Sequence, residues 1–257
     1  MIPKIIHYCW FGRGEMPPLV KKCIKSWDKY CPGWKVVLWN EDSFDVNSTL
    51  WTKQAYEARK FAFVADYVRV KALYEQGGVY LDSDVELVQP IDRFLVHDAF
   101  SGFECATAAP TGIIAARAGQ EVIKGWLDYY TDRPYLINGQ PNMVPNVSFM
   151  TEDLKARGLK MDDSLQNIDG MVIYPQTWFC PLNIVSIEKK FSENTHTIHH
   201  FTSTWRTKQQ LKNFAKVRRH QTKWYRSLES LRYLPNRVVR KVFGDNAIDN
   251  LKKKLGK

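Results

Sequence analysis

One apolar stretch, Gly77–Leu87, constrains the fold most strongly because it combines a helix stop, a strand pattern and two acidic residues. Its paired glycines are typical of a helix end, and the residues that follow predict a strand over Val79–Val88. Side chains alternate along a strand, so Asp82 and Asp84 are expected on one face, where like charges disfavour the strand. A divalent cation with oxygen ligands would compensate the two charges. We therefore expect a functional site in this stretch.

A solvated strand end is the alternative interpretation of the same two aspartates. Short D-x-D patterns are common by chance, and at an exposed strand end the two carboxylates would have no function. Taken alone, the pattern leaves both interpretations open, so the choice depends on what the rest of the chain supplies.

The charge of the chain is concentrated at one end. The 257 residues carry a formal net charge of +10. Residues 206–257 contain sixteen Lys or Arg and three Asp or Glu, a net charge of +13, whereas residues 1–205 carry −3. A basic segment that is interleaved with aromatic residues favours a polyanionic partner, either nucleic acid or an anionic membrane surface. We predict a globular domain over residues 1–205 and a basic, aromatic-rich helical tail over residues 206–257.

Cysteine usage and the start of the sequence bear on the compartment. The five cysteines include no C-x-x-C pair, which argues against a disulfide framework and against a thiolate zinc site. No charged and apolar leader is visible at the start, and no apolar run approaches the ~20 residues of a membrane span. These features predict a cytoplasmic protein.

The order of strand and helix patterns predicts an α/β fold. Lys4–Phe11 is apolar and β-rich, Pro17-Pro18 opens a helix, and Trp34–Trp39 forms a second strand. A helical segment, Thr52–Gln76, in one or two pieces, leads into the aspartate stretch. This β-α-β order is typical of parallel strands with helices packed on the sheet. Further strands are predicted at Phe100–Phe103, Gly112–Ala116, Met171–Tyr174 and Thr197–Phe201, and further helices at residues 120–130 and at Val147–Arg157.

Neither of the two glycine-rich phosphate loops, G-x-G-x-x-G and G-x-x-x-x-G-K-[ST], occurs in the sequence. If a nucleotide binds, its phosphates are therefore expected to be held by a metal ion. A charged pair, Asp66 and Arg69, shares one helix face just ahead of the aspartate stretch. On a surface helix such a pair would contribute little, but the apolar segment Phe61–Ala65 precedes it here. A charged pair in a buried helix needs a partner or a function.

Three blocks of the sequence resemble glycosyltransferase family 32, whose members carry a D-x-D sugar-binding region. Pro3–Gly12 is similar to its opening P-K-I-I-H-x-x-W-x-G block, Phe63–Asp84 to its central block, and Ile198–Trp205 to its closing H-H-aromatic-x-x-S-W block. The same blocks, in the same order, resemble the catalytic domains of the large clostridial glucosylating toxins. Together they span residues 3–205, most of the chain.

The resemblance implies a GT-A type fold, a Rossmann-like mixed sheet with helices on both faces, and a nucleotide-sugar donor held by Mn²⁺ or Mg²⁺. It implies catalytic roles for Asp66, Arg69, Asp82 and Asp84. It implies metal ligation by Asp82, Asp84 and His200, with Asp84 in direct contact and Asp82 mainly facing the ribose, while His199 is interpreted as structural. Donor binding is implied for Cys9, Trp10, Phe61, Asp66, Arg69, Tyr80, Asp82, Ser203 and Trp205.

The closing block departs from the family pattern at one position. Thr204 stands where the family often has Ser directly before Trp205, and Ser203 lies one place earlier. Either hydroxyl therefore stays open as the group that reaches the diphosphate, and the toxin-like spacing favours Ser203.

The resemblance predicts a metal-dependent glycosyltransferase that moves a hexose, with retention, from a nucleotide-diphosphate sugar to a saccharide. A UDP-hexose is the expected donor, and an oligosaccharide or lipid-linked saccharide of surface polysaccharide (capsule) synthesis is the expected acceptor. The tail would dock peripherally on anionic lipid at the inner face of the cell membrane, and no nucleic acid is expected. The alternative is a basic-tailed nucleic-acid- or membrane-binding protein on an inactive transferase fold, and the intact Asp82, Asp84, Arg69 and His200 count against it.

Overall fold

Short apolar runs form the strands, and the computed structural model describes residues 1–182 and 191–202. The strands are β1 (Ile5–Cys9), β2 (Lys35–Trp39), β3 (Gly78–Leu81), β4 (Val85–Leu87), β5 (Ala99–Gly102), β6 (Ile113–Ala116), β7 (Leu136–Ile137), β8 (Gln140–Pro141), β9 (Gln166–Ile168), β10 (Met171–Tyr174) and β11 (Thr197–His199). The helices are α1 (Pro18–Tyr30), α2 (Leu50–Glu57), α3 (Phe61–Gln76), α4 (Glu121–Asp128), α5 (Asn146–Ala156) and α6 (Gln176–Phe179), with a 3₁₀ turn at Asp92–Phe94. The predicted tail and its boundary at residue 205 lie outside the described residues and stay predictions.

The pairing of the strands confirms the predicted α/β class with a mixed sheet. Seven of the described strands form the main sheet in the order β2-β1-β3-β6-β5-β10-β9. Strand β1 is parallel to β2 and β3, and β10 is parallel to β5. Strand β6 is antiparallel to β3 and β5, and β9 is antiparallel to β10. The carboxyl ends of β1, β3 and β5 therefore meet at one edge of the sheet.

Side chains of the main sheet alternate between two apolar layers, as the pleat of a strand requires. In β6, Ile113 and Ala115 pack in the layer that contains Trp27 of α1. Ile114 and Ala116 pack in the other layer, together with residues of α2, α3, α4 and α5. Helices thus cover both faces, as predicted. No helix within the described part of the chain is long and apolar enough to cross a membrane.

The aspartate stretch is not one continuous strand, which corrects the prediction of a strand over Val79–Val88. Strand β3 ends at Leu81 in the main sheet, whereas β4 begins at Val85 and pairs antiparallel with β11 in a separate two-stranded sheet. The turn between them is closed by the Val85 N–H, which donates to the Asp82 carbonyl at 2.9 Å. Like charges on one strand face repel each other, and the turn avoids that arrangement by ending the strand before Asp82.

Helix α1 fixes the small sheet of β4 and β11. The indole Nε1 of Trp27 donates to the carbonyl of Val85 at 2.9 Å, and the hydroxyl of Ser26 accepts from the N–H of Leu87 at 2.9 Å. Trp27 is fully buried, so water does not compete for this bond. The turn that carries the aspartates is therefore held by the main sheet on one side and by α1 and β4 on the other.

A buried histidine joins β1 to β2 and to the end of α3. The Nε2 of His7 lies 2.9 Å from the carbonyl of Gly77, and the indole of Trp39 donates to its Nδ1 at 3.1 Å. An imidazole that donates from one nitrogen and accepts at the other is neutral. Burial lowers the pKa of His7 below its ordinary value of 6.5, and the bond to Gly77 offsets this only in part.

We expect the free energy of unfolding to fall as the pH drops below about 6.5, partly because of His7. The unfolded chain takes up a proton at this residue more readily than the folded chain does, so acid favours unfolding. Between about pH 7.5 and about pH 5.5, the free energy of unfolding measured with urea should fall less for H7Q than for the wild type. H97Q is the comparison variant: burial also lowers the pKa of His97, but this residue is only partly buried, so its substitution should reduce the loss less than H7Q does. An equal loss in wild type and H7Q would contradict the prediction.

Candidate active site

The candidate site is a cavity of about 400 Å³ at the edge of the main sheet where β1, β3 and β5 end. Segments that follow these three strands line it, together with the start of α3, the start of α5 and the residues after β11. In sheets with parallel strands, ligands bind outside the carboxyl ends of the strands. The topology therefore places the predicted D-x-D motif where a ligand is expected.

Asp84 is bound by the segment that follows β11. Its backbone carbonyl accepts from the N–H of His200 at 3.1 Å, and its Oδ2 accepts from the N–H and the hydroxyl of Thr202 at 2.7 and 2.8 Å. Burial alone would raise the pKa of Asp84, but His199 and Thr202 hold it well below the usual range of an aspartate. The carboxylate is therefore ionised, and it ties the D-x-D turn to the closing block.

The two histidines of the closing block face different partners. Neighbouring side chains of an extended segment point to opposite sides. The Nε2 of His199 lies 3.4 Å from Asp84 Oδ1 and 3.9 Å from Asp82 Oδ2. The Nε2 of His200 instead bonds to Glu86 at 2.9 Å. His200, predicted as a metal ligand, thus points to Glu86, and His199, interpreted as structural, lies beside the two aspartates.

Each aspartate of the motif uses one carboxylate oxygen for a protein contact and turns the other toward His199. Asp82 Oδ1 bonds to Arg69 at 3.0 Å, and Asp84 Oδ2 bonds to Thr202. The other two oxygens are those that approach the His199 Nε2. Burial alone would lower the pKa of His199, but Asp84 and Asp82 raise it well above its ordinary value. A protonated imidazole therefore stands between two carboxylate oxygens that point to the same position.

Mg²⁺ and Mn²⁺ prefer carboxylate ligands, so a divalent cation would compete with the protonated His199 for these two oxygens. Gly112 leaves room there, because a Cβ at this residue would stand 3.0 Å from both Asp82 Oδ2 and His199 Nδ1. Across residues 1–182 and 191–202, no three His, Cys, Asp or Glu side chains are arranged to hold a metal ion. A cation held by Asp82 and Asp84 would therefore complete its coordination with substrate oxygens or water.

Asp66 and Arg69 lie on one face of α3 and turn toward the motif. The Arg69 Nη2 lies 3.2 Å from Asp66 Oδ1 and 3.0 Å from Asp82 Oδ1, and its guanidinium lies 4.7 Å above the ring centre of Tyr80. The predicted pair is therefore an ion pair that bridges the helix and the motif. Burial raises the pKa of Asp66 to about 7, and Arg69 offsets this only in part. The Nε of Arg69 is buried and makes no hydrogen bond within the described residues, which leaves a donor for a ligand.

Four of the residues predicted to bind the donor line the same cavity as the aspartates: Cys9, Trp10, Phe61 and Tyr80. Burial raises the pKa of the Cys9 thiol to about 12, so this group is no thiolate nucleophile. Trp10 and Phe61 are partly exposed rings. Phe61 packs so closely on Gly12 that a Cβ there would lie 2.3 Å from the ring. The two rings offer flat apolar surfaces suited to a base.

Glu104 and Asn146 are among the polar groups of the cavity that sequence reasoning missed. Glu104 follows β5 closely, and Asn146 opens α5, so each stands at the end of a predicted element. A polar residue directly after a strand or at the start of a helix, at the edge of the sheet where ligands bind, is the sequence signal that could have identified them. Ser203 and Trp205, predicted to cover the diphosphate, lie outside the described residues, and their roles stay predictions.

Comparisons with known proteins bear on this site. Residues 17–101 match the protein family described as "Glycosyltransferase sugar-binding region containing DXD motif". Inositol phosphoceramide mannosyltransferase 3 of Schizosaccharomyces pombe is 33% identical over 116 residues, which cover 44% of this chain and 31% of that protein. Inositol phosphoceramide mannosyltransferase 1 of the same organism is 29% identical over 110 residues, which cover 38% of this chain and 33% of that protein. The chain thus spans about a third of the length of these curated relatives.

Two solved structures are also similar to the chain. The PaToxG glycosyltransferase aligns with 60% of this chain and 68% of its own, at a TM-score of 0.45 and 17% identity. A glycosyltransferase involved in the glycosylation of the major capsid of PBCV-1 aligns with 86% of this chain and 100% of its own, at a TM-score of 0.42 and 16% identity. The family match, which includes Asp66, Arg69 and the D-x-D motif, confirms the predicted resemblance.

Gly112→Ala is expected to weaken Mn²⁺ binding in the presence of UDP by about tenfold or more, as overpacking costs about 1–3 kcal/mol and 1.4 kcal/mol is tenfold. The added methyl group would crowd Val85, Asp82 and His199. Electron paramagnetic resonance of free Mn²⁺ measures the affinity. Gly14→Ala is the matched control, because a Cβ there meets nothing within 4 Å. Unchanged affinity in G112A would show that the cation does not bind beside Gly112.

Proposed function

We propose that this chain, which carries a glycosyltransferase sugar-binding region with a D-x-D motif, transfers a hexose from a nucleotide-diphosphate sugar to a saccharide acceptor, with Mn²⁺ or Mg²⁺ as cofactor. One observation carries the proposal. Asp82 and Asp84 each turn one carboxylate oxygen toward the same position, beside His199, in a cavity at the carboxyl edge of the strands. The volume of the cavity, about 400 Å³, lies in the range of small-molecule sites.

Departure of a nucleoside diphosphate requires neutralisation of the negative charge that develops on it. A bound divalent cation would supply part of that charge at the diphosphate oxygens. Arg69 supplies another part, since Asp66 and Asp82 hold its guanidinium in place while its Nε keeps a free donor. A guanidinium suits phosphate and sugar oxygens because its donors form a rigid fork. Thr202 holds Asp84, which keeps the motif in register with the closing block.

The donor in this proposal is a UDP-hexose, and transfer proceeds with retention, the departing phosphate serving as the base. The curated relatives bear the name inositol phosphoceramide mannosyltransferase, which adds mannose as a candidate sugar and a lipid-linked acceptor as a candidate partner. A role in surface polysaccharide synthesis at the inner face of the cell membrane completes the proposal. The basic segment 206–257 would then hold the enzyme on anionic lipid.

The rival function is that of a basic-tailed nucleic-acid- or membrane-binding protein on an inactive transferase fold. It accounts for the charge of residues 206–257. It gives no role to the ionised Asp84, to the charge pair of Arg69 and Asp82 or to the cavity beside them. Tight duplex binding without hydrolysis of any donor would favour it.

A panel of UDP- and GDP-hexoses, including mannose donors, should contain at least one that the chain hydrolyses or transfers only when Mn²⁺ or Mg²⁺ is present. Asp84→Asn should lower that rate by about a hundredfold or more, in line with the loss of one group that stabilises developing charge. Asp28→Asn, on the exposed side of α1, is the matched control. Turnover by D84N that persists after chelation would contradict the metal assignment.

The tail predicts binding to anionic vesicles. A triple variant in which Gln replaces Lys252, Lys253 and Lys254 should bind phosphatidylserine vesicles about a hundredfold more weakly. The reason is that each basic residue near the surface contributes about 1 kcal/mol. Flotation at low and physiological salt measures it. The control replaces the exposed Lys25, Lys53 and Lys160 of the globular part by Gln. Equal losses in both triple variants would show that no tail-specific docking occurs.

A further inference from the structure

Glu104 presents an available carboxylate to the cavity. Its backbone is fixed, since its N–H donates to the carbonyl of Ala108 at 2.9 Å and its carbonyl accepts from the side chain of Gln176 at 3.1 Å. Its carboxylate lines the cavity and makes no hydrogen bond or ion pair with any residue that the structure describes. The loop thus holds the side chain in place while leaving its oxygens to a ligand.

Asn146 presents an available donor to the same cavity. It is the first residue of α5, and its Nδ2 is buried without a hydrogen-bond partner among the described residues. Thr151, one helical turn and a half further on, accepts from the N–H of Ala109 at 3.1 Å and lies 2.7 Å from its carbonyl. This contact joins α5 to the loop that carries Glu104. The two available groups therefore lie on parts of the cavity lining that are joined by hydrogen bonds.

Burying polar groups without partners costs free energy unless a ligand pairs with them. Burial raises the pKa of Glu104, and the nearby His199 and Arg69 offset this only in part. Glu104 does not belong to a preformed metal cluster, because no such cluster exists within residues 1–182 and 191–202. A ligand group that both donates and accepts hydrogen bonds would satisfy the acceptor of Glu104 and the donor of Asn146.

We propose that Glu104 and Asn146 form a hydroxyl-binding pair that holds a hexose in the cavity, an inference that rests on the proposed function. The hydroxyls of a sugar can donate to the carboxylate of Glu104 and accept from the amide of Asn146. The hexose is either the sugar being transferred or the sugar that accepts it, because both carry the same hydroxyl chemistry. Glu104 and Asn146 thus act on the sugar, whereas Asp82, Asp84 and Arg69 act on the diphosphate.

The test compares Glu104→Ala and Asn146→Ala with the wild type in three measurements. Affinity for UDP with Mn²⁺, measured by calorimetry, should stay within about twofold, since UDP lacks the hexose. The KM of the best donor in metal-dependent hydrolysis, or the KM of methyl hexosides as acceptors, should rise about tenfold or more, as expected when a hydrogen bond to a substrate hydroxyl is lost. A rise in the KM of the donor identifies the transferred sugar as the ligand. A rise in the KM of the methyl hexoside identifies the acceptor sugar as the ligand. Glu152→Ala, an exposed acid on the same helix, should change neither KM.

The outcomes separate this inference from the proposed function. If the wild type neither binds UDP with Mn²⁺ nor hydrolyses any donor, the proposed function fails. If the wild type is active and both variants keep the wild-type KM for donor and acceptor, the hydroxyl-binding pair is wrong while the function stands. Glu104→Gln and Asn146→Asp, which keep the side-chain shape, replace any alanine variant whose melting temperature falls. In Glu104→Gln, weaker acceptance of a hydroxyl proton should raise the same KM by a smaller factor than in Glu104→Ala.

Discussion

The carboxylate of Asp84 joins two parts of the chain that are more than a hundred residues apart. It accepts two hydrogen bonds from Thr202 and lies beside His199. The backbone carbonyl of Asp84 accepts a further hydrogen bond from the N–H of His200. Hydrogen bonds to a charged group contribute about 1.5–3 kcal/mol each. Strand β11 pairs with β4 through three residues and is also held by the hydroxyl of Thr197, which donates to the carbonyl of Phe179. The bonds to Asp84 fasten the residues that follow β11, and these line the cavity.

Much of the fold follows from local sequence pattern. The ends of β1 and β2 and the start of α1 lie within two residues of the prediction, because apolar runs there are bounded by glycine and proline. The D-x-D turn could not be predicted, because β4 leaves the main sheet to pair with β11, and no local pattern encodes a partner so distant in the chain. Periodicity alone continues a strand through Asp82 and Asp84, whereas the real chain turns between two sheets.

The site was predictable where several residues act together and not where one residue acts alone. Asp66, Arg69 and the D-x-D motif form a pattern of spacing, and the structure brings all four side chains to one place. Which of His199 and His200 faces the aspartates depends on the register of a short strand, because a shift of one residue exchanges the two sides. Sequence spacing does not fix that register. Glu104 stands alone in a loop, and only the three-dimensional position of β5 brings it to the cavity.

The two aspartates lie in one turn and are fastened to different sheets. The N–H of Asp82 donates to the carbonyl of Gly112, the residue before β6 of the main sheet, whereas Asp84 is bound by Thr202, which follows β11 of the small sheet. The distance between the two carboxylates therefore depends on how the two sheets are spaced, and helix α1 holds β4 in position through Trp27 and Ser26. The packing of α1 against β4 therefore helps to set the distance between the two carboxylates, and with it the size of a cation that they would hold.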